Sequence, residues 1–448
     1  MQQSAGSRLR RGRTLSSIAL VAIIGLMLTA CSDGHTEVRA IPAAGWPTYG
    51  GDGANSNYTP VTAPDDLALA WTRPTGGPIS APLTMNALGD IGVTANTGNG
   101  CNMFVFDHAA GRKNFCKRMT AGVELNAMAF DQNSQPYLGE SSTFLAFNGG
   151  GSIRWRMPVI GVPVSAKFAG PGRVLMVTTQ GQILLINAQT NAFETPEVRL
   201  RPDARPDEPL FGLGDCVTGG PLCAVSAPPA VDAANERFYL NFRPEGTAQS
   251  QLSALTYAES ALLADGGKPT DVERQIIQRW HVEVPGGMVG PPTVSADGTT
   301  VYAFGRDGRL YAYDAADGSP RWNHDLGGFG FATLAVSPDG VLIPTGTVGA
   351  PLTILKDTGD GAEVIAERTD LETVSLSTIT GGDRAWTVVR TGADQKLMLT
   401  EVSTSDGATL RSLELPNAAG FTTGIAVSAW GSVAVATHAG EVFYFSPR

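Results

Sequence analysis

Between residues 288 and 326, apolar and polar positions form four short runs separated by turn signals. Residues 292–295 read as a strand, and Asp297-Gly298 as a hairpin turn, because both residue types accept positive φ at low steric cost. Residues 301–304 make a second strand and Asp307-Gly308 a second turn. Residues 310–313 alternate outward and inward positions, the period of two expected of a half-buried strand. Asp317-Gly318 turns the chain again, and Arg321-Trp322 opens a fourth strand. Four antiparallel strands in roughly 40 residues constitute one propeller blade.

The pattern recurs. Trp71, Phe115 and Trp155 stand 44 and 40 residues apart, and Trp280 and Trp322 stand 42 apart. Val336-Ser-Pro-Asp-Gly340 repeats Val294-Ser-Ala-Asp-Gly298. These landmarks place blades at about 79–119, 120–159, 162–200, 226–280 and 288–326, with a sixth at Val336, a seventh over 376–407 and a last starting at Ile425. The last repeat stops after its third strand, at Phe445. Near the other end, residues 68–73 form a lone strand carrying Trp71, with no partner strands before it. Joining the two completes one blade, closes the ring and removes two open sheet edges. The expected fold is therefore an all-β, eight-bladed propeller of four-stranded antiparallel blades. Seven blades is the alternative if the weaker repeats are misdrawn.

Two insertions break the period. Residues 201–222 lie between blades three and four. Residues 258–275 lie between the third and fourth strands of blade four, with a short helix expected over 271–277. Strand polarity assigns them to opposite faces. Long loops on a rigid scaffold are frequent binding elements, or simple decoration.

The repeat Pro-Thr-Val…Asp-Gly…Val-Tyr-Ala…Asp-Gly-Arg-Leu-Tyr-Ala-Tyr-Asp…Asp-Gly…Trp resembles that of pyrroloquinoline-quinone-like (PQQ-like) β-propellers. Quinoprotein alcohol dehydrogenases and the propeller lipoprotein of the outer-membrane β-barrel assembly machinery (BamB-like proteins) share it. Trp46-Pro-Thr-Tyr-Gly-Gly-Asp52 through Asn57-Tyr-Thr-Pro60 is similar to the stretch that precedes the first repeat in that family. The resemblance implies the fold; the function is open, because one fold hosts both enzymes and scaffolds.

Composition adds compartment and charge. Arg8, Arg10, Arg11 and Arg13 precede an apolar run over 18–28, and Leu28-Thr-Ala-Cys31 matches a bacterial lipobox. Cys31 is thus the expected lipidation site; an ordinary signal peptide or membrane anchor is the alternative, although the run is short for a membrane-spanning helix. The expected organisation is a signal peptide at 1–30, a flexible tether at 31–44 and the propeller at 45–448. Cleavage would move the formal charge from −10 to about −14, a poor match for nucleic acid or an anionic membrane surface. Few charged residues (17%) with 54 glycines and 29 prolines suit short strands and tight turns. Cys101, Cys116, Cys216 and Cys223 remain, an even number in an exported chain, and suggest two disulfides. The hairpin between Cys101 and Cys116 brings them nearly opposite, and Cys216 with Cys223 closes a small loop; free buried thiols are the alternative.

Candidate chemistry is sparse. In quinoprotein dehydrogenases the resemblance implies a catalytic aspartate, a calcium ion and a vicinal cysteine pair over the quinone. This chain has no Cys-Cys pair and no Cys-x-x-Cys-His haem motif. No residue carries over as catalytic, cofactor-binding or metal-binding, so neither PQQ nor calcium is supported. His35, His108, His281, His324 and His438 show no metal-ligand spacing, and the recurring tryptophans read as inter-blade packing. The expected function is a lipid-anchored, non-enzymatic scaffold in the cell envelope, possibly in outer-membrane protein assembly. It would engage envelope proteins through its loop faces, at the periplasmic face of an outer membrane or the outer leaflet of a cytoplasmic membrane. A PQQ-dependent dehydrogenase-like quinoprotein or a small-ligand or glycan binder is the alternative.

Overall fold

Among the described residues, thirty-four short strands and very little helix follow from a chain that places a turn signal every few residues. The computed structural model describes residues 39–448 apart from 264–268, 329–332, 346–349 and 393. The signal segment and Cys31 lie outside the described residues.

Apart from one two-stranded hairpin, the described strands pair into four-stranded antiparallel units, two of them joined into one eight-stranded sheet and one completed by a strand from near the start of the chain. Blade one holds Thr84–Met85, Ile91–Thr94, Met103–Phe106 and Lys113–Lys117. Blade five holds Met288–Val294, Thr300–Gly305, Arg309–Asp314 and Pro320–Asp325, as the repeat pattern predicts. Blades six and seven join laterally where Glu372 and Thr373 pair with Arg390 and Val389. The described pairings resolve into eight four-stranded units, in keeping with the expected count.

Ring closure takes the expected form. Leu67–Pro74 pairs antiparallel with Glu441–Pro447, setting Trp71 opposite Tyr444 and Thr72 opposite Phe443. The Trp71 and Tyr444 rings stack at 5.1 Å. Indole Nε1 of Trp71 donates to the His108 carbonyl at 2.9 Å, across the seam to blade one. Gly111 carries the turn beneath that ring at φ 64°; a Cβ there would meet the indole at 2.6 Å. Trp155 reaches Ala188 O at 3.0 Å and Trp280 reaches Ala315 O at 3.3 Å in the same manner. The periodic tryptophans are therefore clamps between adjacent blades. Buried aliphatic and aromatic side chains fill the wedges between blades, as in the cluster of Val388, Leu399, Val435 and Phe443.

Residues 39–64 play a part that the repeat pattern does not indicate. Each inner strand presents an unpaired edge to the axis, and buried backbone N–H groups need acceptors. The lead-in segment supplies them blade by blade. Trp46 O accepts from Met85 N, Pro47 O from Phe130 N, Gly53 O from Val231 N, Ala54 O from Val294 N, Ser56 O from Val336 N and Asn57 O from Ile379 N, all within 2.7–3.0 Å. In blade three the hydroxyl of Thr48 donates to Ala166 O at 3.1 Å. The segment thus makes a circuit inside the ring and fills the end where the inner strands finish.

Two expectations change. The tether was expected to run to residue 44. From Arg39 the chain is already seated, with Ala40 and Ala43 buried, Gly172 N donating to Ala40 O at 2.7 Å and Ala43 N to Phe130 O at 3.0 Å. The helix expected over 271–277 is instead a hairpin: Glu259–Leu263 pairs with Pro269–Arg274. A seven-residue helix has little intrinsic stability. The strand is also pinned, because Arg274 donates to Glu236 Oε1 at 2.5 Å, Tyr257 O at 2.7 Å and Glu259 Oε1 at 3.1 Å. The helix lies in the other insertion, at Leu213–Thr218, between Gly212 and Gly219, both at positive φ.

Candidate functional site

Opposite the sealed end, the ring encloses a funnel of about 320 Å³. It opens where the inner strands begin, so its wall comes from the segments just before them. Pro82, Leu125, Val164, Pro228 and Leu376 give an apolar lining, and Ser80, Thr179, Ser226 and Thr333 add hydroxyls. Prolines suit these positions because no ladder donor is needed ahead of a strand. Among the described residues the lining contains no Asp, Glu, Lys, Arg or His.

Tyr49 of the lead-in segment forms the floor. Behind it stands Lys167 on the inner strand Lys167–Phe168, fully buried. Its ammonium donates to the Tyr49 carbonyl and to Asp52 O at 2.7 Å, and lies 5.5 Å from the Tyr49 ring centroid. Burial pulls the lysine down to about 7, opposed by the nearby charge of Asp52. Burial also raises the Tyr49 phenol. Asp52 in turn accepts from Ser56 N at 3.0 Å and Ser56 Oγ at 2.5 Å. Lys167 is thus the pin that holds the lead-in circuit against blade three. Sequence reasoning missed it; the available signal was one lysine inside the otherwise apolar run Ala166-Lys-Phe-Ala169.

The insertion 201–222 reaches the funnel mouth, where Cys216 and Val217 join the lining. Both expected disulfides are present: Cys216–Cys223 with Cα atoms 4.9 Å apart, and Cys101–Cys116 at 5.7 Å. The first ties the short helix to the chain entering blade four. The second ties a blade-one loop to that blade's outer strand. Neither pair offers a free thiol for chemistry.

His108 and His438 are accounted for structurally, and His35 lies outside the described residues. His108 Nδ1 lies 2.9 Å from Asp90 Oδ1, and Asp90 also accepts from Asn114 Nδ2 at 2.9 Å. His438 Nδ1 lies 2.9 Å from Ile79 O, and its ring stacks on Phe421. Among the described residues no group of three or more His, Cys, Asp or Glu side chains could hold a metal ion. Pyrroloquinoline quinone carries carboxylates that require cationic partners; the described lining residues include none, and the guanidinium groups of Arg243 and Arg306 stand outside the lining beside insertion 201–222. Calcium lacks carboxylate ligands there for the same reason.

Residues 277–411 match the family described as "Outer membrane protein assembly factor BamB". The Mycobacterium tuberculosis protein Rv3035 is 31% identical over 423 residues, covering 93% of this chain and 99% of that one. Among solved structures, BamB from Moraxella catarrhalis superposes with a TM-score of 0.54 at 17% identity, covering 85% of this chain and 99% of that one. Quinohemoprotein alcohol dehydrogenase from Comamonas testosteroni also gives 0.54, at 13% identity, covering 90% of this chain and 80% of that one. Both likenesses concern the fold alone, and one is to an enzyme. With the ring closed as its repeats require and a homologue aligned along nearly its whole length, the chain belongs to the PQQ-like repeat β-propeller family.

Proposed function

We propose that the protein is an exported, lipid-anchored propeller that acts in the cell envelope as a non-enzymatic scaffold, binding partner proteins through its loop faces. What carries the reading is the funnel lining, where among the described residues the one free titratable group is the Tyr49 phenol, raised by burial, and no carboxylate, imidazole or amine stands ready to hold a cofactor or move a proton. A rigid ring with an ordered, disulfide-tied insertion at its mouth suits recognition instead. The match to a family described by outer-membrane protein assembly supports an envelope role. Lipidation at Cys31 is the proposed anchor, on the periplasmic face of an outer membrane or the outer leaflet of a cytoplasmic membrane.

Photo-crosslinkers placed one at a time around both faces of the full chain, in its native envelope, test the scaffold role. Discrete adducts confined to one face are the expected result. A folded, membrane-associated protein that gives no adduct at any position overturns it. The apolar funnel favours a neutral small ligand as a second reading; a thermal-shift screen that finds one while crosslinking stays empty would replace the first.

A further inference from the structure

We propose that the funnel-mouth surface formed by insertion 201–222 with Arg243 and Arg306 docks an acidic, aliphatic-rich peptide segment of a partner protein. The inference rests on the scaffold reading and names its binding surface.

The insertion concentrates exposed apolar side chains. Leu210, Val217 and Leu222 are 45%, 72% and 43% exposed. Leu69, Ile153, Val364 and Leu410 are also exposed, but they stand singly on the outer strands of different blades. Single exposed aliphatic residues are ordinary, whereas a cluster marks an interaction site.

This cluster is held in place. Arg201, itself buried, forms a two-pronged ion pair with Asp203 and donates to Pro221 O at 3.0 Å. Gln180 Nε2 donates to Glu208 O at 2.9 Å, and the Arg205 guanidinium stacks 3.8 Å from the Phe211 centroid. With the Cys216–Cys223 bridge, these contacts order the loop before any partner arrives, which lowers the entropy cost of binding.

Beside it lies unmatched positive charge. Arg243 follows the blade-four strand Arg237–Phe242 and is only 7% exposed. Its backbone N–H donates to Ala224 O at 2.8 Å, so it sits next to the disulfide. Among the described residues its guanidinium makes no side-chain hydrogen bond and no close ion pair, although the Asp215 carboxylate is near enough to oppose the fall in its pKa. Burial, and then the charge of Arg306, hold its pKa below the usual arginine value. Arg306 occupies the corresponding place in blade five, is exposed, and lays its guanidinium against Gly219 at the end of the short helix. It too has no carboxylate within ion-pair range among the described residues. Asp215 is near, but it is engaged by Leu222 N at 2.8 Å.

Covered guanidinium groups have planar donor sets that a carboxylate matches in shape and charge. A free anion would satisfy the arginines but not the aliphatic cluster alongside. An acidic segment interleaved with Leu, Ile or Val satisfies both.

The test is selection from a random 12-residue peptide display library against the full chain, followed by fluorescence anisotropy with a selected synthetic peptide. Enrichment of Asp or Glu among aliphatic residues is expected. Binding should weaken at least tenfold in Arg243→Gln/Arg306→Gln and several-fold in Val217→Ser, with no change in Trp430→Ser on the opposite face. Arg306→Gln alone, at an exposed position, should still weaken binding several-fold, which separates recognition from a folding defect. No enrichment, enrichment without acidic residues, or double-variant binding within twofold of wild type overturns the docking site. So does inorganic phosphate that displaces the peptide completely at low millimolar concentration, which would mark a simple anion site. Crosslinks confined to other loops would retain the scaffold reading while rejecting this surface.

Discussion

The two ends of the central channel are built from the same eight inner strands, yet they differ in what completes them. At one end, residues 39–64 supply backbone carbonyls to inner-strand N–H groups around the ring. Tyr49 and Lys167 close the centre from that side. At the other end no described segment crosses, and the wall finishes in prolines, small hydroxyls and aliphatic side chains around an open cavity. The sealed end ties the blades together, so its residues serve stability. The open end leaves the scaffold free to carry the insertion, so recognition belongs there.

Removing the strand Leu67–Pro74 should break this contrast most severely. The last blade would lose its outer strand and the ring its seam, and cooperative unfolding by circular dichroism should be abolished. Trp71→Ala keeps the strand but loses the clamp onto Gly111 and His108. A cost of about 3–5 kcal/mol is expected in chemical denaturation.

Lys167 sharpens the comparison through pH. Its folded pKa is depressed to about 7, while the unfolded side chain stays protonated up to about 10.4. Between those values the unfolded state binds more protons, so Lys167 makes stability rise with pH through that window. Below about 7 its contribution is level. Lys167→Met should flatten the rise between pH 7 and 10, an effect on the order of a few kcal/mol across the window. Equal slopes in both proteins would show that burial does not depress the pKa of Lys167. Above pH 10 the buried phenols of Tyr239 and Tyr313, both pushed up to about 12, act in the opposite sense.

At the open end the effects should be smaller and local. Cys216→Ser with Cys223→Ser releases a short loop, at a cost of roughly 2 kcal/mol. Hydrogen exchange should quicken in the insertion while the blades keep their protection. On the sealed face, Trp430 is half exposed but lies against Gly89 and the His108 ring, so Trp430→Ser should cost about 1 kcal/mol. Any larger loss would give that face a structural role at Trp430 as well.

Much of the ring was legible because each blade repeats one local rule. Asp-Gly turns and period-2 strands mark blade five almost residue by residue, and the tryptophan spacing marks the clamps. Inner strands such as Thr84–Met85 and Ala129–Phe130 are too short to show a period, so only their neighbours located them. The two insertions were placed correctly, one between blades three and four and one inside blade four between its third and fourth strands. The helix was assigned to the wrong one, because Arg274 and its cross-strand carboxylates decide the matter through contacts distant in sequence. Glycines on both sides of Leu213–Thr218 were the local sign of the true helix.

The amino-acid sequence by itself determined the blade rule, the strand shared between the chain's two ends, and two cysteine pairs within bridging reach. These depend on turn chemistry and residues close in the chain or in the repeat. Only the tertiary structure decided that residues 39–64 seal one end, that Lys167 is their pin, and that Arg243 and Arg306 meet at the other. Those outcomes join residues tens to hundreds of positions apart, where no periodicity couples them and the closed ring alone brings them into contact.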